Sequence, residues 1–306
     1  MVGRPLRSPC RTRATETRLA RRGRAGYSWR VQNKRLRVSR KGETTVADQS
    51  VRHLVLLPAM LCDEELYRQQ IGAVRDLLEP LPLVIAAASM AEAAAAVLRG
   101  APARFLLAGT SYGGNLALEV AATAPARVAG LWLMGCNPGP HGDPDGGRRL
   151  TDRVRLGEFE AVVEELAERI VYPEGPNAPA ARSAFQRMAR RLGVAVLQRQ
   201  NASLLGRRDR RDDLRRMRCP TLLLWGRDDA VSPVTHGTTM AARMPRSRLV
   251  VLDDCGHLPT IERPEAVTVA LRDWLGEVLD INRRLTSDLS GPATPAAQPE
   301  RSAHTD

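Results

Sequence analysis

Aromatic residues are scarce: three Phe, four Tyr and four Trp in 306 residues. A folded core must therefore rest on Leu, Val, Ala and Ile, and the apolar fraction of 43% is enough for one. No apolar run reaches the length of about 18 residues that a membrane-spanning helix needs, so none is expected. The five cysteines, Cys10, Cys62, Cys136, Cys219 and Cys255, are odd in number and widely scattered. There is no C-x-x-C pair, no Cys/His ligand spacing and no nucleotide-binding fingerprint. Free thiols in a reducing, cytoplasmic compartment are expected, with no metal and no cofactor. No apolar segment follows the Arg21–Arg22 pair, so no export signal is expected.

Positive charge is abundant but unevenly placed. The net charge is +12. Residues 1–50 hold fourteen Lys or Arg against Glu16, Glu43 and Asp48, so the remainder of the chain is close to neutral. This basic leader has few large apolar residues and no sustained period, and is expected to be disordered. An arm for nucleic acid, an anchor on an acidic surface and an organelle transit peptide all fit such a composition, as does a tail with no role. No aromatic-interleaved binding pattern accompanies the charge, so no specific nucleic-acid partner is expected.

From Val51 onward short apolar runs alternate with helical spacing. Strands are expected at 53–57, 83–85, 104–108, 128–134, 220–225 and 248–252. Helices are expected at 63–78, 90–98, 115–124 and 264–279. That alternation points to an α/β fold, a parallel sheet covered by helices on both faces. The turn-rich run Pro138–Gly147 breaks the pattern. Two amphipathic segments follow, 152–171 and 180–205, separated by Tyr172-Pro-Glu-Gly-Pro176. The expected organisation is a leader over 1–50, a core over 51–137, an all-helical insert over 138–216, a second core part over 217–282, and a disordered tail over 283–306.

Gly109-Thr-Ser-Tyr-Gly113 fits G-x-S-x-G and lies between an expected strand and an expected helix. A turn this sharp strains the backbone at Ser111 and lifts its hydroxyl above the sheet. Its glycines remove Cβ atoms that would collide. A serine hydroxyl is a poor nucleophile until a histidine, itself oriented by a carboxylate, takes its proton. Of His53, His141, His236, His257 and His304, only His257 follows a strand closely, in Asp253-Asp-Cys-Gly-His257 after Leu252. The carboxyl ends of strands are where open α/β sheets place their sites. Two acids compete for the orienting role, Asp228 and Asp229, both in the loop after Trp225. The order Ser, Asp, His is that of elbow-type serine hydrolases.

Over about 51–279 the chain resembles the α/β-hydrolase superfamily, and in detail the small esterases of the pimeloyl-carrier-protein methyl ester carboxylesterase type. The resemblance is carried by Leu56-Leu-Pro-Ala-Met60, Gly109-Thr-Ser-Tyr-Gly-Gly114, Cys219-Pro-Thr-Leu-Leu-Leu-Trp-Gly-Arg-Asp-Asp229 and Cys255-Gly-His257. It implies a mostly parallel eight-stranded sheet flanked by helices, and a helical lid supplied by residues 138–216. It places the acid three residues after Gly226, at Asp229. It assigns the oxyanion donors to the backbone N–H groups of Met60 and Tyr112. The family usually has Gly where this chain has Ala59. The activity implied is cleavage of a small-molecule carboxylic ester or thioester. Carbon–carbon bond hydrolysis, lactone opening, perhydrolysis and ligand binding without turnover are the alternatives on the same residues.

Two further segments carry open readings. Leu156, Phe159, Val162, Val163 and Leu166, with Phe185, Met188, Leu192, Val196 and Leu197, either line an acyl pocket or simply pack the insert on the core. The run Arg207–Asp213 either steers an acidic substrate or forms a salt-bridged surface.

Overall fold

Six short apolar segments pair into one sheet. The computed structural model describes residues 51–289. The leader over 1–50, His304, Cys10 and the tail from residue 290 lie outside the described residues. The strands are β1 (His53–Leu57), β2 (Glu79–Pro82), β3 (Phe105–Thr110), β4 (Val128–Met134), β5 (Thr221–Gly226) and β6 (Ser247–Leu252). Their order is β2-β1-β3-β4-β5-β6, and every pairing is parallel. The eight strands implied by the resemblance are thus corrected to six among the described residues.

The helices are α1 (Arg68–Val74), α2 (Met90–Gly100), α3 (Tyr112–Thr123), α4 (Pro144–Arg155), α5 (Phe159–Ile170), α6 (Ala178–Leu205), α7 (Val234–Arg243), α8 (Pro259–Glu262) and α9 (Pro264–Leu289). Successive strand residues face opposite sides of the sheet, and the core divides accordingly. Leu54, Leu56, Leu106, Trp132 and Leu222 pack with Leu271, Trp274 and Leu275 of α9. Val55, Leu107, Leu131, Leu133 and Trp225 pack with Val97 of α2, Leu116 and Val120 of α3, and Met240 of α7. The chain leaves β1 through α1 on the first face and returns to β3 through α2 on the second. The carboxyl ends of β1 and β3 are therefore the point where the winding reverses, the place where open α/β sheets form a crevice.

Several expected elements shift. The strand expected at 83–85 forms instead at Glu79–Pro82, because an edge strand tolerates Pro80 and Pro82. The helix expected over 63–78 is a 3-10 turn, Glu64–Tyr67, followed by α1. The closing helix runs on to Leu289. The segment expected as one helix over 152–171 is two, α4 and α5. Gly157 has φ 92° and ends the first, which leaves Leu156 78% exposed. Leu156 therefore lines neither a pocket nor a core. Val162, Val163, Phe185, Met188, Val196 and Leu197 are buried. The Arg207–Asp213 run is engaged locally: Arg210 bridges Glu119 and Asp213, Arg211 pairs with Asp209, and Arg207 donates to the Gly139 and Pro140 carbonyls. That is the salt-bridged surface reading.

Candidate active site

Ser111 sits between β3 and α3 with φ 53° and ψ −113°, a conformation that L-residues rarely adopt. Such strain persists only where surroundings over-determine it. Here they do. The Ser111 N–H donates to the Met134 carbonyl at 2.8 Å, and the Asn115 N–H donates to the Ser111 carbonyl at 2.9 Å. The glycines of the motif allow the close approaches that complete the turn. A Cβ on Gly109 would lie 2.2 Å from the Gly113 carbonyl oxygen, and one on Gly113 would lie 1.9 Å from that of Leu57. Gly114 likewise meets Cys136 Cβ at 2.7 Å. Because the obstacle at Gly113 is backbone, Gly113→Ala is expected to destabilise the fold by about 3 kcal/mol. A thermal or urea unfolding midpoint close to that of the parent would contradict this packing.

The end of β1 is pinned to the same place. Tyr67, fully buried, donates its hydroxyl to the Leu57 carbonyl at 2.9 Å and shares a 2.8 Å hydrogen bond with Thr110 Oγ1. Beyond it, Leu61 has φ 59°, and its N–H donates at 2.9 Å to Gln200 Oε1 of α6. Gln200 Nε2 in turn donates to the Ile85 carbonyl at 2.9 Å. Ala59 is not among the positive-φ residues, so alanine adds no strain where the family usually has glycine. Among the described residues the N–H groups of Met60 and Tyr112 make no hydrogen bond. Tyr112 opens α3, where N–H groups have no helical acceptor and the helix dipole favours negative charge.

His257 and Asp229 meet. His257 Nδ1 lies 2.8 Å from Asp229 Oδ2, and both residues are buried, at 3% and 6% exposure. Asp229 Oδ1 accepts from the N–H groups of Val231 and Ser232, each at 2.8 Å. Asp228 is half-buried, and its backbone N–H donates to the Cys255 carbonyl. Burial disfavours the charged imidazole of His257. The Asp229 carboxylate and its hydrogen bond outweigh that, with help from Glu262 and opposition from Arg169, so the His257 pKa is raised. His257 and Asp229 also flank Gly135, where a Cβ would lie 3.0 Å from the imidazole and 3.3 Å from the carboxylate. Gly135 directly follows Met134, the residue bonded to Ser111 N–H. The three side chains thus line one rim of the sheet. His257 Nε2 and Ser111 Oγ make no hydrogen bond among the described residues. Such contacts are often long in ligand-free enzymes and tighten when substrate binds.

The other histidines go elsewhere. His53 faces Glu79 at 3.2 Å, His141 accepts from the Asp143 N–H, and His236 bonds Ser232 Oγ at 3.1 Å. The thiols of Cys62, Cys136 and Cys255 are buried and free, and burial raises their pKa values, that of Cys136 to about 12. Thiols so disfavoured as thiolates are poor nucleophiles. Among the described residues no group of three or more His, Cys, Asp or Glu is placed to hold a metal ion, and no helix is long and apolar enough to cross a membrane.

The sequence reading missed Tyr67, Gln200 and Glu262. Tyr67 was hidden inside a presumed helix. The Gln200 contact to Leu61 spans 139 residues and leaves no local trace. Glu262 was visible as an acid in a proline-flanked apolar stretch five residues after His257.

Comparison with known proteins places the chain in a family. The Alpha/beta hydrolase family profile matches residues 23–271. A pimeloyl-[acyl-carrier protein] methyl ester esterase of Nitrosomonas europaea is 29% identical over 188 residues, 54% of this chain and 68% of that protein. Among solved structures, a thermophilic esterase from Thermogutta terrifontis superposes with a TM-score of 0.69 at 28% identity, covering 75% of this chain and 91% of that one. The enol-lactonase of Burkholderia xenovorans shares the fold, with a TM-score of 0.67 at 18% identity over 74% of this chain and 92% of its own. With a family match over most of its length, the chain belongs to the alpha/beta hydrolase family.

Proposed function

We propose that the protein is a serine esterase that hydrolyses a small carboxylic ester or thioester through an acyl-enzyme on Ser111. The observation that carries the proposal is the buried His257–Asp229 pair on the rim that holds the strained Ser111 elbow. With Nδ1–H directed to Asp229, Nε2 is left to take the Ser111 proton. Ser111 Oγ attacks the carbonyl carbon. The N–H groups of Met60 and Tyr112 receive the oxyanion, each worth about 3 kcal/mol in the transition state. The tetrahedral adduct collapses, and His257 passes its proton to the departing alcohol or thiol. Water then attacks the acyl-enzyme, again giving its proton to His257, and the acid leaves with Ser111 restored. The helical insert acts as the lid over this rim, since the Ile170 carbonyl at the end of α5 accepts from the His257 N–H at 2.8 Å. A small-molecule ester substrate and a cytoplasmic setting belong to the same reading.

The test is labelling with a fluorophosphonate probe, peptide mapping of the adduct, and a panel of p-nitrophenyl esters and thioesters of rising acyl length. Adduct at Ser111 with turnover of short esters is the expected result. Binding of panel compounds with no turnover and no adduct would point to a ligand-binding relative instead. A pH profile adds a second check. The base works as neutral imidazole, and its pKa is raised, so kcat/KM should rise with pH through an acid limb centred above that of an ordinary histidine. A limb centred below it would contradict the Asp229 pairing.

A further inference from the structure

Glu262, the last residue of α8, is 1% exposed, and the mechanism above gives it no role. A buried carboxylate is costly unless its oxygens are satisfied. Among the described residues no Arg or Lys pairs with it, and its hydrogen-bond donors are three backbone N–H groups. Oε2 accepts from Gly256 at 2.8 Å and from Tyr172 at 2.9 Å, and Oε1 accepts from Leu258 at 2.8 Å. Gly256 and Leu258 flank His257, whose own N–H donates to the Ile170 carbonyl. Three successive N–H groups are therefore tied, two of them to one side chain. The packing leaves no slack. A Cβ on Gly256 would lie 2.6 Å from Tyr172 N and 2.9 Å from both Glu262 Oε2 and the Ile170 oxygen. A side chain accepting at both ends must be a carboxylate, because a glutamine would turn an NH2 group toward one of the N–H donors.

We propose that Glu262 is a positioning residue for the general base. It holds the 256–258 loop so that the His257 ring can span Asp229 and Ser111, and its charge favours the imidazolium formed during acylation. The proposal rests on the triad reading above. The charged groups acting on His257 are Asp229 from the β5–α7 loop and Glu262 from α8, both favouring the cation, and Arg169 from α5, opposing it. Burial raises the Glu262 pKa, and the hydrogen bonds from Tyr172, Leu258 and Gly256 act against that rise.

The test compares the full-length parent with Glu262→Gln and Glu262→Asp. Steady-state kinetics on a short p-nitrophenyl ester, the acid limb of kcat/KM, and an NMR titration of the His257 imidazole are measured, with circular dichroism to establish folding. In Glu262→Gln, kcat should fall roughly tenfold to a hundredfold with KM little changed, the cost of a misplaced base. The acid limb and the imidazole titration should both move to lower pH, because a negative charge beside the imidazolium is gone. Glu262→Asp keeps the charge and loses reach, so kcat should fall while the acid limb stays near that of the parent. Parental kcat with an unmoved titration in Glu262→Gln would overturn the proposal. So would a loss of folded protein in both variants, or a kcat loss in Glu262→Gln with no titration shift, since either makes the residue purely structural. The titration requires no turnover. A parent chain that hydrolyses no ester would therefore overturn the esterase reading, and the imidazole shift would still decide the role of Glu262.

Discussion

Ser111→Ala is expected to lower ester turnover by roughly a million-fold, to the level left by binding and oxyanion contacts alone, and to abolish fluorophosphonate labelling. The substitution removes one oxygen and nothing else. The backbone bonds from Ser111 N–H to Met134 and from Asn115 N–H to Ser111 remain, and alanine bears the φ of 53° no worse than serine. The fold should therefore survive, with unchanged circular dichroism and ester binding retained in equilibrium measurements. The size of the loss follows from the chemistry. Without Oγ no acyl-enzyme can form, and His257 has no hydroxyl to deprotonate. A variant that keeps more than a small fraction of parental turnover in freshly purified, mass-verified protein would sink the covalent mechanism.

The second large effect separates two adjacent acids. Asp229→Asn is expected to cut kcat by about 10⁴-fold, whereas Asp228→Asn should change it by no more than about twofold. Asp229 Oδ1 accepts from two backbone N–H groups, which hold the carboxylate in one orientation. In the Asn variant the amide oxygen keeps those two donors, so the NH2 group faces His257 Nδ1. Nδ1 must then accept, the ring proton moves to Nε2, and the nitrogen nearest the nucleophile can no longer take a proton. Loss of the Asp229 charge also removes the main influence holding the His257 pKa up, so residual activity should persist to lower pH. Kinetics on both variants, with the pH profile of Asp229→Asn, decide the matter. Equal losses in the two variants would mean that the carboxylate at 229 does not set the tautomer.

Much of this architecture was legible in the residues. The strand at 128–134 is found with the bounds expected, because an unbroken apolar run is bracketed by Pro125 and Gly135. The elbow was readable because its glycines are steric necessities. What the sequence left open turns on burial. Asp228 and Asp229 are neighbours in one loop, and only the folded chain buries the second and leaves the first half-exposed. The strand at 79–82 is hard to see in the residues because two prolines argue against a strand, and its edge position, which makes them tolerable, depends on tertiary order. Glu262 and Gln200 escaped because their partners include backbone N–H groups, which carry no sequence signature.

The glycine contacts at 109, 113 and 256 have a consequence for how such a chain can diversify. Main chain touches main chain at these points, so the reacting centre is fixed by atoms common to every residue type. The neighbouring helices α5 and α6 instead meet the core through Val162, Val163, Phe185, Met188 and Leu197, aliphatic and aromatic groups that exchange for one another readily. Substitutions in these two helices can therefore accumulate while the glycine-built turns around Ser111 and His257 keep their geometry.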